Sequence, residues 1–316
     1  MIGRVTQQTV QRSTLANLQT NLTRMSDLQN RLSGNKSITK PSDDPAGTAS
    51  ALALRSSLRQ IDQQSRNIDD GLGWLTSADT ALTTSLSTVG KARDLVIQGG
   101  NTGSLTPEAR ESLALEIEGL RDSLVSQANT TYLGRSVFAG TSSADRAVVA
   151  VTDATPRSYT TTNEPGATVE RRVNADTTIR VDVDVTTAFG KDVPEHVGAD
   201  GQTVPATSSV FATLDTIASL LRSPGGNPTD QLAALDGHRD AMLQQASGVG
   251  ARHNQVLAAQ SNAMAAKTEL TAQLSGVEDA DLAASIVELQ MQEVAYQAAL
   301  GATSRVLQPT LMDFLR

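Results

Sequence analysis

The stretch 34-GNKSITKPSDDPAG-47 contains the signals that end one helix and begin another. A glycine such as Gly34 readily adopts the left-handed conformation that ends a helix. Ser42, Asp43 and Asp44 are residue types that cap a following helix, and Pro45 suits its first turn. The stretch therefore predicts a helix junction built from Gly34, Pro41, Ser42, Asp43, Asp44, Pro45 and Gly47.

An amphipathic helix is predicted before this junction, over about residues 13–33. Its apolar residues recur at alternating spacings of three and four, with Gln29 as the one polar member of the series. A seam this narrow is typical of a coiled coil. The apolar members of the series are Leu15, Leu18, Leu22, Met25 and Leu32.

Two further helices are predicted after the junction. The first runs from Pro45 to about residue 98, and Gly71 and Gly73 are candidate positions for a bend. A third helix over about 107–130, capped by Thr106, is expected to return antiparallel to it. The long helix has an apolar residue at every seventh position, namely Leu54, Ile61, Ile68, Leu75, Leu82, Val89 and Val96.

Helical patterns return in the last third of the chain. Ser208 or Ser209 is suited to cap a short helix, and a long helix capped by Thr229 and Asp230 is expected to end before Gly276. The final helix has a heptad seam that matches the N-terminal one. Its apolar members are Leu282, Ile286, Leu289, Tyr296, Leu300 and Leu307.

The middle of the chain, from 141 to 206, is rich in Gly, Thr, Asp and Val and has no helical period. Its clearest element is 179–185, where β-branched residues alternate with Arg180, Asp182 and Asp184. This pattern predicts a strand with one solvated face. Residues 147–151 and 157–162 are weaker strand candidates, so a small β-rich domain is expected here.

The sequence thus predicts a mainly α fold, in which long, coiled-coil-like helices from both chain ends form a bundle with a small β-rich insertion. We expect a terminal helical assembly domain from 1–40 and 277–316, and a β-rich outer domain from 141–206. The helical bundle domain would consist of 41–140 and 207–276. An isolated helix of about 20 residues is marginally stable, so the terminal seams should pair with each other or with neighbouring subunits.

Composition excludes several classes of function. A net charge of -8 and a pI near 4.9 argue against nucleic-acid binding. The absence of cysteine excludes disulfides, thiolate metal sites and cysteine nucleophiles. No stretch approaches the roughly 18 apolar residues of a membrane span. The N-terminal residues lack the apolar core of a secretory signal, which indicates a cytoplasmic protein unless another export route applies.

No residue pattern predicts catalysis, a cofactor or a metal site. The three histidines, His196, His238 and His253, are far apart in sequence and are expected at the surface. Asp43 and Asp44 resemble an acid–base pair, but helix capping explains them better. Asp182 and Asp184 are expected to be solvated. The sequence indicates a protein that is not an enzyme, unless the 141–206 domain contains a hidden pocket.

Several motifs resemble the flagellin superfamily. They are Arg31-Leu32-Ser33-Gly34, Ile38, the 41-PSDDPAG-47 run, Leu54-Arg55, Ala128-Asn129, Gly134, Phe138-Ala139-Gly140, 295-AYQAAL-300 and 306-VLQP-309. The Pro-Ser-Asp-Asp-Pro variant is similar to the hook-associated protein 3 branch of that superfamily. The likeness covers about 1–140 and 207–316, whereas the middle segment matches no family.

The resemblance implies a structural subunit of the bacterial flagellum that joins the hook to the filament as a ring. It also implies export, unfolded and without a cleaved signal peptide, to an extracellular location. The implied partners are copies of the chain itself, hook-associated protein 1, filament flagellin and a flagellar export chaperone, with neither nucleic acid nor a membrane span. The terminal seams would pack between subunits. A filament flagellin is the main alternative, and a cytoplasmic helical scaffold is another.

Overall fold

A computed structural model describes residues 7–101, 105–151, 157–162, 168–194, 196–197, 203–204 and 206–306. Seven α-helices and four two-stranded antiparallel hairpins are present in this part of the chain. The long helices come from both halves of the sequence, and the short strands lie between them. The mainly α fold with a small β-rich insertion is therefore confirmed.

The helices and strands follow one another in a simple order. The first helices are α1 (Gln7–Gly34), α2 (Pro45–Gly99) and α3 (Pro107–Ala128). The strands are β1 (Thr131–Tyr132), β2 (Arg135–Ser136), β3 (Val148–Val151), β4 (Ser158–Thr161), β5 (Glu170–Arg172), β6 (Thr178–Arg180), β7 (His196–Val197) and β8 (Thr203–Val204), with the short helix α4 (Val185–Phe189) before β7. The chain ends with α5 (Val210–Arg222), a 3-10 turn (Pro228–Gln231), α6 (Leu232–Glu278) and α7 (Leu282–Val306).

The chain divides into two compact units. The first contains 1–61 and 265–316, and the second contains 62–264. The second unit therefore includes the described part of the 141–206 segment together with helices that the sequence assigns to the bundle. The three-domain division drawn from the sequence has different boundaries and stays a prediction.

The second unit has the main hydrophobic core. The apolar rows of α2, α3, α5 and α6 meet there with the β-rich segment. The scarce aromatic residues are concentrated where the hairpins meet the helices: Phe189 packs on Phe138 and Phe211, and Tyr159 packs on Phe211 with ring centroids 5.2 Å apart. The β-rich segment is thus part of an aromatic core that composition alone did not indicate.

Two helix boundaries differ from the sequence-based expectation, and one cap agrees with it. Helix α2 is continuous through Gly71 and Gly73, and a bend there stays a prediction. Helix α6 continues through Gly276 to Glu278, because one glycine costs a long helix only about 1 kcal/mol. Asn227, rather than Thr229 or Asp230, caps the 3-10 turn that precedes α6. Ser209, one of the two candidates, caps α5 by accepting from the amide of Ala212.

The predicted strand at 179–185 is shorter than expected, and Asp182 on its polar side is not solvated. Pairing ends at Arg180, and Asp184 caps α4. Asp182 is completely buried. Its carboxylate accepts from the Val169 amide at 3.0 Å and pairs with Arg180 Nε at 2.9 Å. A buried charge is tolerated when it is paired and hydrogen-bonded, and the 179–185 pattern does not show that the Val169 amide is one of the partners.

Candidate assembly surface

Helices α1 and α7 form an antiparallel pair in the first compact unit. The side-chain amide of Gln292 donates to Asn21 Oδ1 at 3.3 Å, midway along the pair. At one end, Lys36 forms a β-bridge with Asp279, and the Ala280 amide donates to the Asn35 carbonyl. Residue numbers that rise along α1 therefore fall along α7. The two terminal helices pair with each other, which is one of the two expected arrangements.

The contact row of α1 is narrow. Its members follow one another at spacings of four and three residues, as in a coiled coil. Leu28 is the most buried of them, with 8% of its surface exposed, and the others are half-buried. The row consists of Thr14, Leu18, Asn21, Met25, Leu28 and Leu32.

The contact row of α7 has the same spacing but is more polar. All of its members are half-buried, and four of them carry hydroxyl or amide groups. The row consists of Ser285, Leu289, Gln292, Tyr296, Ala299 and Thr303. Two such rows bury little apolar surface between them, so the pair has only a small hydrophobic contribution to its stability.

The structure separates the residues that the sequence predicts to pack between subunits into two groups. Half-buried in the contact of α1 with α7 are Leu18, Met25, Leu32, Leu289 and Tyr296. Exposed beside that contact are Leu15, Leu22, Leu282, Ile286 and Leu300. Leu307 lies outside the described residues. The exposed group is available to a neighbouring subunit, and packing between subunits stays a prediction for both groups.

Sequence reasoning missed Leu28, the one side chain of α1 that is buried among those described. The heptad series predicted from the sequence passes through Gln29, the adjacent position. A series through Thr14, Asn21 and Leu28 fits the same spacing, and the leucine at 28 was a signal in its favour. Two neighbouring rows of side chains on α1 are partly apolar. The packing of α7 determines which of the two rows is buried.

The helix junction is tightly hydrogen-bonded to the end of α6. Gly34 is the last residue of α1, but the left-handed conformation belongs to Asn35, whose φ is 52°. This corrects the expectation for Gly34, and asparagine tolerates that conformation better than most residues. The Ser37 amide donates to the Glu278 carbonyl at 2.7 Å. The junction is thereby fixed against the α6–α7 turn.

Asp43 and Asp44 have separate structural roles. Asp44 caps α2, because its Oδ1 accepts from the amides of Ala46 and Gly47 at 3.1 and 2.9 Å. Asp43 Oδ2 accepts from the Thr39 hydroxyl and from the amides of Thr39 and Lys40. The Thr39 hydroxyl, followed by those amides, lowers the pKa of the Asp43 carboxyl. Neither carboxylate is arranged for acid–base chemistry. Pro41 and Ser42 lie in the intervening turn, and Pro45 is the first residue of α2.

A buried carboxylate connects the junction to two helices. The side chain of Glu278 is almost completely buried and pairs with Lys36 Nζ at 3.2 Å and Arg55 Nη2 at 2.8 Å. Lys36 also pairs with Asp279 at 2.6 Å. The hydrogen bond to Asp279 raises the pKa of Lys36, and the same bond lowers the pKa of Asp279. This cluster holds the junction, α2 and the end of α6 together within the first unit.

Gly47 allows the junction to approach the first turn of α2. A Cβ atom at this position would overlap the Asp44 carboxylate and lie 2.8 Å from Ile38 Cδ1. Beside this contact is a cleft of about 330 Å³, whose lining includes Lys40, Pro41 and Leu52. Any larger residue at 47 would displace the cap, so the motif requires glycine there.

Two negative findings concern the described residues. No group of three or more His, Asp or Glu side chains in this part of the chain is placed to hold a metal ion. His238 is half-buried rather than at the surface, bonded to the Thr213 hydroxyl at 3.1 Å, and burial lowers its pKa. Within the same residues, no helix has the length and apolar character needed to cross a bilayer.

Both ends of the chain are similar in sequence to known proteins. The bacterial flagellin N-terminal helical region matches residues 5–143, and the bacterial flagellin C-terminal helical region matches residues 232–315. Together these two regions cover most of the chain. The flagellin of Bacillus subtilis is 26% identical over 298 residues, which cover 91% of this chain and 90% of that protein.

Hook-associated proteins are similar to the same extent. Flagellar hook-associated protein 3 of Salmonella typhimurium is 26% identical over 295 residues, covering 86% of this chain and 87% of that protein. The crystal structure of flagellar hook-associated protein 3 from Legionella pneumophila matches with a TM-score of 0.60 and 17% identity, covering 72% of this chain and 98% of that one. The matched helical regions at both ends, and the paired helices that they form, show that this chain belongs to the bacterial flagellin family.

Proposed function

We propose that this chain is a structural subunit of the bacterial flagellum that joins the hook to the filament as a ring of subunits. The protein would act by packing against its neighbours and not by catalysis. Its location would be extracellular, on the flagellum, after export without a cleaved signal peptide. The observation that carries the proposal is the incomplete burial of the helix pair α1–α7.

That pair is built for further contacts. Leu28 is the one buried side chain among those described on α1, and Leu15 is 60% exposed. On α7, Met291 and Val294 are 68% and 66% exposed. Single exposed apolar residues are common on protein surfaces, whereas several on one helix pair indicate an interaction site. A subunit that completes its fold in an assembly explains this exposure.

A place at the hook–filament junction is favoured by the helix-junction motif. The 41-PSDDP-45 run is similar to the hook-associated protein 3 branch, and the structure gives each aspartate a defined hydrogen-bonding role. The second candidate is a filament subunit, which the 26% identity to the Bacillus subtilis flagellin supports. Both candidates use the same terminal helices, so the distinction requires an experiment in cells.

The partners follow from the proposed position. The chain would contact copies of itself, hook-associated protein 1 below it, filament flagellin above it, and an export chaperone before assembly. The assembly domain would comprise 1–40 and 277–316. The bundle domain of 41–140 and 207–276 would form the next layer, and the 141–206 domain would face outward. No cofactor is proposed.

A deletion strain tests the function. Loss of a junction subunit should leave hooks without filaments and flagellin released into the medium, as seen by electron microscopy and by immunoblotting of the culture fluid. Loss of a filament subunit would instead leave no flagellin in the medium. A strain that keeps normal filaments and swims would overturn both candidates and support a role outside the flagellum.

Complementation of that strain tests the surface. Leu22→Asp and Ile286→Asp each place a charge on an exposed apolar position and should abolish filament attachment. Thr23→Asp, at an exposed position adjacent to Leu22, is the matched control and should restore motility. Full motility with the first two variants would contradict the proposed role of the α1–α7 pair.

A further inference from the structure

The α1–α7 pair has two exposed apolar surfaces, and their positions follow from the heptad register. On α1, Leu15 and Leu22 each follow a contact residue, Thr14 and Asn21. On α7, Ile286 and Leu300 follow the contact residues Ser285 and Ala299 in the same way. In an antiparallel pair, the positions that follow these contact residues lie on the same side of both helices. Leu15, Leu22, Ile286 and Leu300 therefore form one surface that spans both helices, here named the two-helix surface.

The second surface belongs to α7 alone. A shallow groove runs along the helix on the other side of its contact row. Val287 and Met291 are prominent in it, and Val294 lies beside it, all highly exposed. We name this the single-helix surface, formed by Ala284, Val287, Met291, Val294 and Ala295.

Helix α7 is therefore apolar on three sides, toward α1 and on both flanks. Helix α1 is polar on the flank that adjoins the single-helix surface, where Asn17, Arg24 and Arg31 precede the contact residues Leu18, Met25 and Leu32. A helix that is apolar around most of its circumference is normally surrounded by protein. One partner, α1, leaves two apolar sides of α7 uncovered.

Charge distinguishes the two surfaces. The two-helix surface includes one carboxylate, Glu293, at the position between Ile286 and Leu300. The rim of the single-helix surface has the cations Arg24 and Arg31 and the carboxylate Glu288. The rim of the single-helix surface is thus net positive, whereas Glu293 gives the α7 side of the two-helix surface a local negative charge. Complementary charges of this kind select one partner surface over another.

We propose that the two-helix surface of one copy docks on the single-helix surface of the next copy. This inference rests on the proposed assembly function and assigns the surfaces that carry it. The two surfaces face opposite sides of α7, so contact between identical surfaces would leave one apolar side of every copy exposed. Pairing of unlike surfaces covers both, and repetition of such a contact generates a ring or a helical array.

Disulfide trapping tests this pairing, because the natural chain has no cysteine. Full-length Leu22→Cys and Val287→Cys chains are purified separately, mixed at a concentration at which sedimentation shows self-association, and oxidised. A disulfide requires Cβ atoms about 4 Å apart. The mixture should give a crosslinked dimer at least about fivefold more abundantly than either variant alone, since only the mixture contains both surfaces with a thiol.

Two controls make the result decisive. Thr23→Cys, which is adjacent to Leu22 and points away from the contact, should not crosslink to Val287→Cys. Crosslinking of Leu22→Cys to itself would show contact between identical surfaces and overturn the proposal. The absence of self-association or of any crosslink would also overturn it. Normal complementation of the deletion strain, together with either negative result, would leave the proposed function intact.

Charge exchange provides a second, independent readout. Glu293→Arg or Arg24→Glu alone should weaken self-association by about threefold to tenfold, because each places like charges across the contact. The double variant, which exchanges the two charges, should recover most of the loss. A double variant that is as weak as the sum of the two single changes would show that these residues do not face each other.

Discussion

The side-chain amide of Gln292 donates to Asn21 Oδ1 across 3.3 Å, so a polar pair lies in the middle of the α1–α7 contact. The two residues are 271 positions apart in the sequence. A polar pair in a coiled-coil seam fixes the register and lowers stability. The pair therefore determines which residues of α1 and α7 remain exposed for neighbouring subunits.

Replacing this pair tests that role. Asn21→Leu alone removes the side-chain acceptor of the Gln292 amide, which keeps only its 3.4 Å contact with the carbonyl of residue 21, and should lower stability by about 1 kcal/mol. The double change Asn21→Leu with Gln292→Leu should restore or exceed the original stability, because two apolar residues then meet. Urea denaturation of all four proteins gives the coupling energy. A double variant less stable than both single variants would show that the pair contributes stability rather than register.

The limited burial of α1 and α7 predicts fast hydrogen exchange in these helices. In a dilute monomer their amides should exchange faster than those of α3 and α5, whose faces belong to the main core. Protection should appear when the protein is incorporated into flagella. Equal protection of α1 and α5 in the monomer would indicate that the pair is stable without neighbours.

Gly47 and Gly276 form a matched pair of helical glycines in the first unit. Gly47→Ala should destabilise this unit by about 1 to 3 kcal/mol, because the methyl group would collide with Asp44 and Ile38. Gly276→Ala should stabilise it by about 0.5 to 1 kcal/mol, since nothing lies within 4 Å of that Cβ and alanine favours helix. Thermal denaturation followed by circular dichroism measures both. Effects of the same sign would refute the steric explanation.

Glu278 is expected to be the most sensitive charge in the first unit. Glu278→Gln should cost about 1 to 3 kcal/mol, because the buried side chain loses its charge-assisted bonds to Lys36 and Arg55. The exposed Glu269→Gln on the same helix should change stability by less than about 0.5 kcal/mol. Chemical denaturation compares the two. A similar loss of stability in the two variants would mean that solvent already screens the contacts of Glu278 with Lys36 and Arg55.

His238 predicts a pH dependence of the second unit. Burial lowers the folded-state pKa of this imidazole below its ordinary value of 6.5, with Asp192 acting in the opposite direction. The folded state therefore binds fewer protons at His238 than the unfolded state does. The contribution of this imidazole to the free energy of unfolding is present above pH 6.5 and is lost as the pH falls through the folded-state pKa. The slope for one proton is at most about 1.4 kcal/mol per pH unit.

The single tryptophan gives the measurement for that prediction. Trp74 is 1% exposed in the second unit, and its emission should shift to longer wavelength on unfolding. The denaturant concentration at the midpoint of unfolding of the natural chain should decrease as the pH is lowered from 7 to 5. His238→Gln, which keeps a polar group near Thr213, should reduce that fall. An unchanged slope would assign the acid sensitivity to other groups.

Much of the fold could be derived from local patterns. Heptad spacing and the 34–47 run indicated α1, α2 and the cap at Asp44, because helix hydrogen bonds and caps join residues that are close in sequence. The resemblance of the same run to flagellins led to the family that the comparisons show. The alternation in 179–185 correctly indicated buried apolar residues at 179, 181, 183 and 185.

Only the tertiary structure decided which partners these segments meet. Asp182 is buried because its carboxylate accepts from the Val169 amide, 13 positions away, and from the neighbouring Arg180 side chain. Leu28 faces α7 and Leu22 does not, although both fit a heptad on the same helix. Neighbouring apolar rows on a helix have similar periodicity, and the choice between them depends on contacts with residues more than 250 positions away. The sequence by itself therefore determined the helices and their junction, whereas the tertiary structure determined which apolar faces remain exposed for assembly.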